Sequence, residues 1–189
     1  MIPRRISLKF YATGAESVEL DALIPIFHRW IQRHTLEGHL LDVADYKHVV
    51  DGPGILLIGH ETDYAYDLSE GRPGLLVTRK RDLHDTLADA LSDIFRLTIA
   101  TARKLSAEKS LDGLKFDFSE ARIAFLDRLS APNTPETFEA VREDLRAFLA
   151  DFYGVEDLSL EVAYDDPREP FAVRVRVPEP VLIESKLAT

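Results

Sequence analysis

Alternating hydrophobic and polar positions open the chain. Ile6, Leu8 and Phe10 alternate with polar residues, which predicts a half-buried strand because successive side chains of a strand point to opposite faces. Apolar residues then recur at helical spacing over residues 20–31, and Pro25 fits this helix if the helix begins just before it. The other strands of this half are predicted from alternation or short apolar runs between turn residues, at residues 39–45, 55–59, 63–68 and 74–79.

The longest helical pattern lies in the middle of the chain. Residues 82–108 contain no Gly or Pro inside the apolar stripe, which predicts one long amphipathic helix. Asn133-Thr134-Pro135 predicts the start of another helix, because a capping residue is followed by proline at the first helical position, and this helix runs to about Tyr153. The strands of this half are predicted at residues 114–118, 123–125, 158–162 and 171–177.

The order strand–helix–strand–strand occurs twice, in residues 1–81, where an extra hairpin follows, and in residues 111–178. A long connecting helix at residues 82–110 and a tail at 179–189 complete this division. The pattern predicts one compact α+β domain built from an internal repeat, with a mainly antiparallel sheet covered by helices on one face. A ferredoxin-like arrangement of residues 4–119 is the alternative.

Comparison of the two copies predicts where the first departs from the second. In the second copy, symmetric pairing places Glu161 opposite Arg174 as an ion pair on the solvent face. The equivalent residues of the first copy are Asp42 and Leu57, so Asp42 is expected to bind backbone amides or an arginine from elsewhere, or to have a raised pKa. These departures favour the first half as the location of any functional site.

Three histidines are predicted to meet at one end of the first unit. His34 ends the first helix, while His39 and His60 occupy paired positions on the core side, with Glu61 and Asp63 directly after them. Three imidazoles and a carboxylate suit zinc or another divalent metal ion, and they also form a cluster that titrates near neutral pH. The alternative is that the histidines lie at an edge and bind the backbone, because no short metal-site motif is present.

Asp42 and His48 are the candidate catalytic residues. Together with Asp45 they form a D-x-x-D-x-x-H run before Gly52-Pro53-Gly54, and an aspartate can orient a histidine that acts as a general base. Aspartates in such a segment are also common for their turn-forming side chains alone.

Composition narrows the class of protein. The chain is 46% hydrophobic and 30% charged, as in ordinary globular proteins, and the absence of cysteine excludes disulfides, thiolate catalysis and cysteine-ligated metals. A net charge of −10 argues against binding to nucleic acids or anionic membranes, because both bind proteins through Lys and Arg. Arg79-Lys80-Arg81 is the only candidate for a local basic patch. The N-terminal residues do not resemble a signal peptide, so a cytoplasmic location is expected.

Three segments of the first half resemble a family of uncharacterised bacterial proteins. They are FHRWIQ at residues 27–32, DVADYKHV at 42–49 and GPGILLIGHE at 52–61. The resemblance spans roughly the first 80 residues and implies no activity, cofactor or site.

The absence of a complete catalytic motif favours a non-catalytic binding or regulatory protein. Its partner is expected to be another protein or a second copy of the chain, bound through the long helix or an exposed sheet edge. The alternative is a metal-binding protein or a metal-dependent enzyme that uses the histidine cluster and a divalent metal cofactor. A small-molecule enzyme based on Asp42 and His48 is the third hypothesis.

Overall fold

A single antiparallel sheet of eight strands runs through residues 3–14, 18–81 and 84–178, which are the residues that the computed structural model describes. Numbered along the chain, the strands are β1 (Ile6–Thr13), β2 (Leu40–Tyr46), β3 (Gly54–Gly59), β4 (Thr62–Asp67), β5 (Gly74–Arg79), β6 (Lys115–Phe125), β7 (Ser159–Val162) and β8 (Phe171–Arg176). Their order across the sheet is β2-β3-β4-β5-β1-β6-β8-β7. The predicted α+β class with a mainly antiparallel sheet is therefore confirmed.

The described residues also form three α-helices, α1 (Leu23–Arg33), α2 (Leu87–Ser106) and α3 (Pro135–Tyr153). The hydroxyl of Thr134 accepts a hydrogen bond from the backbone N–H of Thr137, and Gly154 ends α3 at a φ of 69°, so the predicted helix is confirmed at both ends. The helix predicted over residues 82–108 begins later, at Leu87, because the Thr86 side chain caps it. Residues 82 and 83 and the predicted tail 179–189 lie outside the described residues.

The hydrophobic core lies between the helices and one face of the sheet. Alternate residues of the strands, such as Ile6, Leu8 and Phe10 of β1, join the buried side chains of all three helices in one cluster. Phe10 meets Phe95 of α2 edge to face with ring centroids 5.8 Å apart, so the central strand packs directly on the long helix. We call the opposite face of the sheet the open face.

The apolar surface of the long helix α2 is buried in the core of the protein. Its buried positions carry aliphatic, phenylalanine and threonine side chains, whereas its exposed positions are polar or small: Ala88, Asp89, Ser92, Arg96, Arg103, Lys104 and Ser106. No helix among the described residues is long and apolar enough to span a membrane.

The register of the first hairpin differs from the symmetric pairing expected from the sequence. Asp42 lies opposite Ile58, and Leu57 lies opposite Val43, because the register shifts between Leu40 and Asp42. The predicted pairing of Asp42 with Leu57 is therefore wrong by one residue, as happens when a bulge adds a residue to one strand. In the second hairpin Glu161 does lie opposite Arg174, as predicted. The internal repeat and the domain division stay predictions.

The pKa of the buried Tyr66 phenol reports how completely this core excludes water. Tyr66 is buried, its hydroxyl has no hydrogen-bond partner among the described residues, and burial raises its pKa to about 12. An unfolded tyrosine loses its proton near pH 10. Between about pH 10 and 12 the unfolded chain therefore binds fewer protons than the folded chain, and stability falls as pH rises.

We expect Tyr66→Phe to leave the free energy of unfolding at neutral pH within about 1 kcal/mol of the wild-type value, because it removes an unpaired buried hydroxyl. The variant should also lose less stability between about pH 10 and 12. Urea unfolding across this pH range measures both effects, with Tyr46→Phe on the exposed edge as the control. A large loss of stability at neutral pH would show that the hydroxyl is bonded.

Candidate binding site

The centre of the open face is buried even though the helices lie on the other side. Lys9 of β1 is 0% exposed and Arg122 of β6 is 7% exposed. Two connections cover them: residues 68–73 between β4 and β5 supply Ser69 and Glu70, and residues 163–170 between β7 and β8 supply Tyr164. Since buried charges are costly unless they are paired, the partners of these cations define the site.

Lys9 forms the most deeply buried ion pair. Its ammonium group donates to Asp67 Oδ2 at 2.5 Å, to the Ser69 carbonyl at 3.0 Å and to the Ser69 hydroxyl at 3.3 Å. Asp67 is 3% exposed and also accepts a hydrogen bond from Ser69. Burial lowers the pKa of Lys9, and the Asp67 carboxylate opposes this effect. These three bonds match the three donors of an ammonium group, so Lys9 fixes the turn that follows β4.

Glu70 projects from this turn onto two arginines. Its carboxylate lies 2.9 Å from Arg122 Nη1 through Oε2 and 3.2 Å from Arg174 Nη2 through Oε1, and the Tyr11 hydroxyl lies 3.4 Å from Oε2. Glu70 has φ 64° and ψ 16°, a left-handed backbone conformation that residues other than glycine rarely adopt. The turn thus holds an unfavourable backbone conformation that places one carboxylate between two guanidinium groups.

The second connection is tied to the same arginine. Arg122 Nη1 also donates to the Tyr164 hydroxyl, whose pKa is raised to about 12 by burial, so the phenol stays protonated at neutral pH. The Asn133 amide holds this connection in place by donating to the carbonyl oxygens of Tyr164 at 2.8 Å and Asp166 at 2.9 Å. Arg122 therefore joins the two covering segments.

A second carboxylate completes the charged layer nearer the surface. Glu120 accepts two hydrogen bonds from Arg72, at 2.8 and 3.0 Å, and these bonds lower its pKa. The Arg72 guanidinium lies 3.7 Å from the centre of the Tyr11 ring, a cation–π contact. Arg174 Nε lies 3.7 Å from Glu120 Oε1, so both carboxylates contact Arg174.

A cavity of about 460 Å³ lies against this layer. Its polar lining residues include Ser7, Thr78, Tyr164 and Arg122, while Leu76 is an apolar lining residue. Carboxylates also line it, from Asp51, Asp67, Glu70 and Glu169. Ligand pockets in proteins typically measure roughly 300–1,000 Å³ and combine apolar surface with a few placed polar groups.

The predicted metal ligands lie elsewhere. His34 ends α1 at a φ of 48°, and His34, His39 and His60 are all exposed, so the core-side placement predicted for His39 and His60 is wrong. The reason is that β3 ends at Gly59, where the chain turns. No group of three His, Cys, Asp or Glu side chains in residues 3–14, 18–81 and 84–178 is arranged to hold a metal ion.

Cations of the chain itself contact two of these candidates. Arg81 Nη1 lies 2.9 Å from His60 Nε2, and Asp63 accepts a hydrogen bond from Lys80 Nζ at 2.7 Å. Glu61 accepts a hydrogen bond from the His39 backbone N–H at 3.1 Å. A metal ion would have to compete with Arg81 and Lys80, so the geometry adds no support to the metal hypothesis.

The candidate catalytic residues are exposed. Asp42 accepts a hydrogen bond from the Val43 backbone N–H at 2.8 Å, which matches the expectation that it binds a backbone amide. His48 stacks on Tyr46, and Asp45 accepts a hydrogen bond from the Lys47 backbone N–H at 3.0 Å, as in a turn. Neither Asp42 nor His48 lines the cavity on the open face. Their catalytic role stays a prediction.

Sequence reasoning missed the residues of the open face because their alternation indicated a solvent-facing side. Lys9 alternates with Leu8 and Phe10, and Arg122 alternates with Ala121 and Ile123, as on any half-buried strand. Arg174 was the one residue of this face for which the sequence predicted an ion pair, and the expected partner was Glu161. Arg174 instead contacts Glu70 and Glu120, while Glu161 contacts Arg176 at 3.6 Å.

No protein-family model matches this chain, and no curated protein or solved structure matches it either.

The Lys9–Asp67 pair should be strongly coupled in stability. Lys9→Met or Asp67→Leu alone leaves a buried charge without its partner, and we expect each to lower the free energy of unfolding by about 3–5 kcal/mol. The double variant replaces both charges and should be more stable than either single variant. Urea unfolding of the three variants measures the coupling.

The exposed contact between Lys47 and Asp21 is the control, because the same double-variant cycle there should give a coupling below about 1 kcal/mol. Additive losses at Lys9 and Asp67 would contradict the coupling of the buried pair.

Proposed function

We propose that this protein is a non-catalytic binding protein that holds a small polar molecule in the cavity on the open face. The observation that carries the proposal is Arg122, a lining residue of the cavity that is almost fully buried and whose Nε atom has no hydrogen-bond partner in the described part of the chain. Buried polar groups are normally paired, so an unpaired donor beside a cavity favours a ligand that offers an acceptor.

Two of the four carboxylates at the cavity, those of Asp67 and Glu70, favour binding rather than catalysis. A general base needs an available lone pair and a proton within reach in the bound substrate. Asp67 accepts from Lys9 and Ser69, and Glu70 is held between two arginines. Lys9 is buried beneath these contacts and is not a lining residue of the cavity. Asp67 and Glu70 are therefore engaged as hydrogen-bond acceptors and are not available as general bases.

Binding in the cavity can be tested with small probes of different chemistry, namely glycerol, glucose, butyrate, butylamine and aminobutyrate. We expect at least one probe to shift the backbone amide signals of Ser7, Thr78 and Arg122 in a saturable way in nuclear magnetic resonance titrations. Leu76→Trp should abolish these shifts, because a larger side chain fills the cavity that Leu76 lines.

Leu41→Trp on the edge strand β2 is the matched control, because Leu41 is 51% exposed and is not a cavity residue, and it should leave the shifts unchanged. If no probe shifts these amides, or if Leu76→Trp binds as the wild type does, the proposal is wrong.

A protein partner at the sheet edge is a second candidate. Strand β2 ends the sheet order, and it exposes the apolar side chains of Leu41 and Tyr46. An exposed edge can pair with an extended segment of another chain. Asp42 and Asp45 are also exposed on β2, so a basic segment suits this edge better than a second copy of β2.

Self-association through β2 can be tested separately from the cavity. Because Asp42 and Asp45 of two paired copies would repel each other, we expect a monomeric mass by light scattering over a wide range of protein concentrations at low salt. A dimer that Leu41→Lys disrupts would contradict this expectation and would show that the edge binds a second copy. The matched control is Leu129→Lys, which changes another exposed leucine outside the strands.

A further inference from the structure

Three cations lie in one row across the centre of the open face. Lys9 of β1 is directly opposite Arg122 of β6, and Arg122 is directly opposite Arg174 of β8. We call Lys9, Arg122 and Arg174 the cation row. Like charges directly opposite each other on neighbouring strands are destabilising, so the row requires anions. Asp67 forms an ion pair with Lys9, so the two arginines must pair with other carboxylates.

The two arginines are incompletely paired by the protein itself. Each arginine contacts one of the two oxygens of the Glu70 carboxylate. The Nε atoms of Arg122 and Arg174 are both buried and have no hydrogen-bond partner within the described residues, and the carboxylate oxygen Oε1 of Glu120 lies 3.7 Å from Arg174 Nε. A guanidinium group offers five donors in a planar fork that fits a carboxylate through two parallel bonds. The pair therefore has unused capacity for a carboxylate.

The backbone of Glu70 belongs to a turn that is held in place, whereas its side chain, which contacts the arginines, can rotate. Lys9 holds the carbonyl of the preceding residue, Ser69, so the turn stays in place when the Glu70 side chain rotates. The left-handed backbone of Glu70 is unfavourable for its residue type and persists only because its surroundings impose it. Glu70 also lines the cavity, so a molecule bound there reaches the position of the Glu70 carboxylate only when the Glu70 side chain rotates away.

The charge of the cavity restricts the ligand. Asp51 and Glu169 line it and are exposed, so a molecule that brings only negative charge meets repulsion there. A multiply charged phosphate meets more repulsion than a single carboxylate. An ammonium group on the same molecule turns these carboxylates into partners. The favoured ligand therefore carries one carboxylate and one ammonium group.

We infer that Glu70 occupies the position of an external carboxylate, and that the cavity binds an amino acid whose carboxylate displaces Glu70 from Arg122 and Arg174. Its ammonium group then lies on the side of Asp51 and Glu169. This inference rests on the proposed binding function and adds the ligand class and the competing residue. Because Glu70 must leave before the ligand binds, the apparent affinity is reduced by the fraction of molecules in which Glu70 is seated.

The inference is tested by titrating unbranched amino acids from glycine to aminohexanoate, with the matched fatty acids and amines as partial ligands. We expect the best amino acid to bind more tightly than either partial ligand of the same length. Glu70→Gln removes the competing charge and should raise its affinity by about tenfold or more. Glu169→Gln should weaken the amino acid and leave the fatty acid no weaker.

Glu70→Gly keeps the test valid if Glu70→Gln folds poorly, because glycine adopts a left-handed backbone without strain. It should raise the affinity as well. Glu161→Gln is the matched control, since Glu161 contacts Arg176 at the sheet edge and its loss should not change binding.

The outcomes separate this inference from the proposed function. If an amino acid binds in the cavity but both Glu70 variants leave its affinity unchanged or lower, displacement is wrong and the binding function stands. If glucose or glycerol binds there and no amino acid does, the ligand class is wrong and the binding function stands. If none of these molecules binds the wild type or the variants, both proposals fail.

Discussion

The buried ion pair between Lys9 and Asp67 is the interaction on which the rest of the open face depends. Lys9 lies on the strand at the centre of the sheet, and its ammonium group is saturated by Asp67 and Ser69. This anchor holds the start of the connection after β4 above β1, and the contacts of Glu70 and Arg72 hold the rest of it. With it, Glu70 is placed over the next strand and pairs with Arg122. One buried charge thus orders a connection, and that connection covers another buried charge.

The topology explains why this layer needs residues from both halves of the chain. Because β1 and β6 are neighbours, the first strand of each half contributes one cation to the same row. The connection that carries Glu70 comes from the first half, and the connection that carries Tyr164 comes from the second. The prediction that function resides in the first half was derived by comparing isolated hairpins. It did not consider the pairing of β1 with β6, where the two halves meet.

The elements with strong local signals were predictable. The cap at Thr134, the proline that follows it and Gly154 fixed the third helix, since each acts on its own backbone neighbours. The placement of Pro25 was equally local, because α1 begins at Leu23 and the proline falls in its first turn. Such signals need no knowledge of which strands are adjacent.

The site was not predictable in the same way, because it depends on strand order and register. Period-two alternation identifies two faces of a strand but does not say whether loops cover the polar face. The bulge near Asp42 changed the register of the first hairpin, and the end of β3 at Gly59 left His60 exposed. Lys9 and Arg122 are far apart in sequence, and only the pairing of β1 with β6 brings them together.

The composition of the cation row is itself an argument for binding. Replacing a buried ion pair by well-packed apolar residues is often neutral or stabilising, so folding alone does not require charges at these positions. The neighbouring open-face residues Leu76 and Ala124 show that apolar side chains fit beside the row. Arg122 and Arg174 nevertheless lie side by side against a carboxylate held by an unfavourable backbone, and the buried Nε of each has no hydrogen-bond partner among the described residues. Because the two arginines share the single Glu70 carboxylate, they can accept the carboxylate of a ligand in its place.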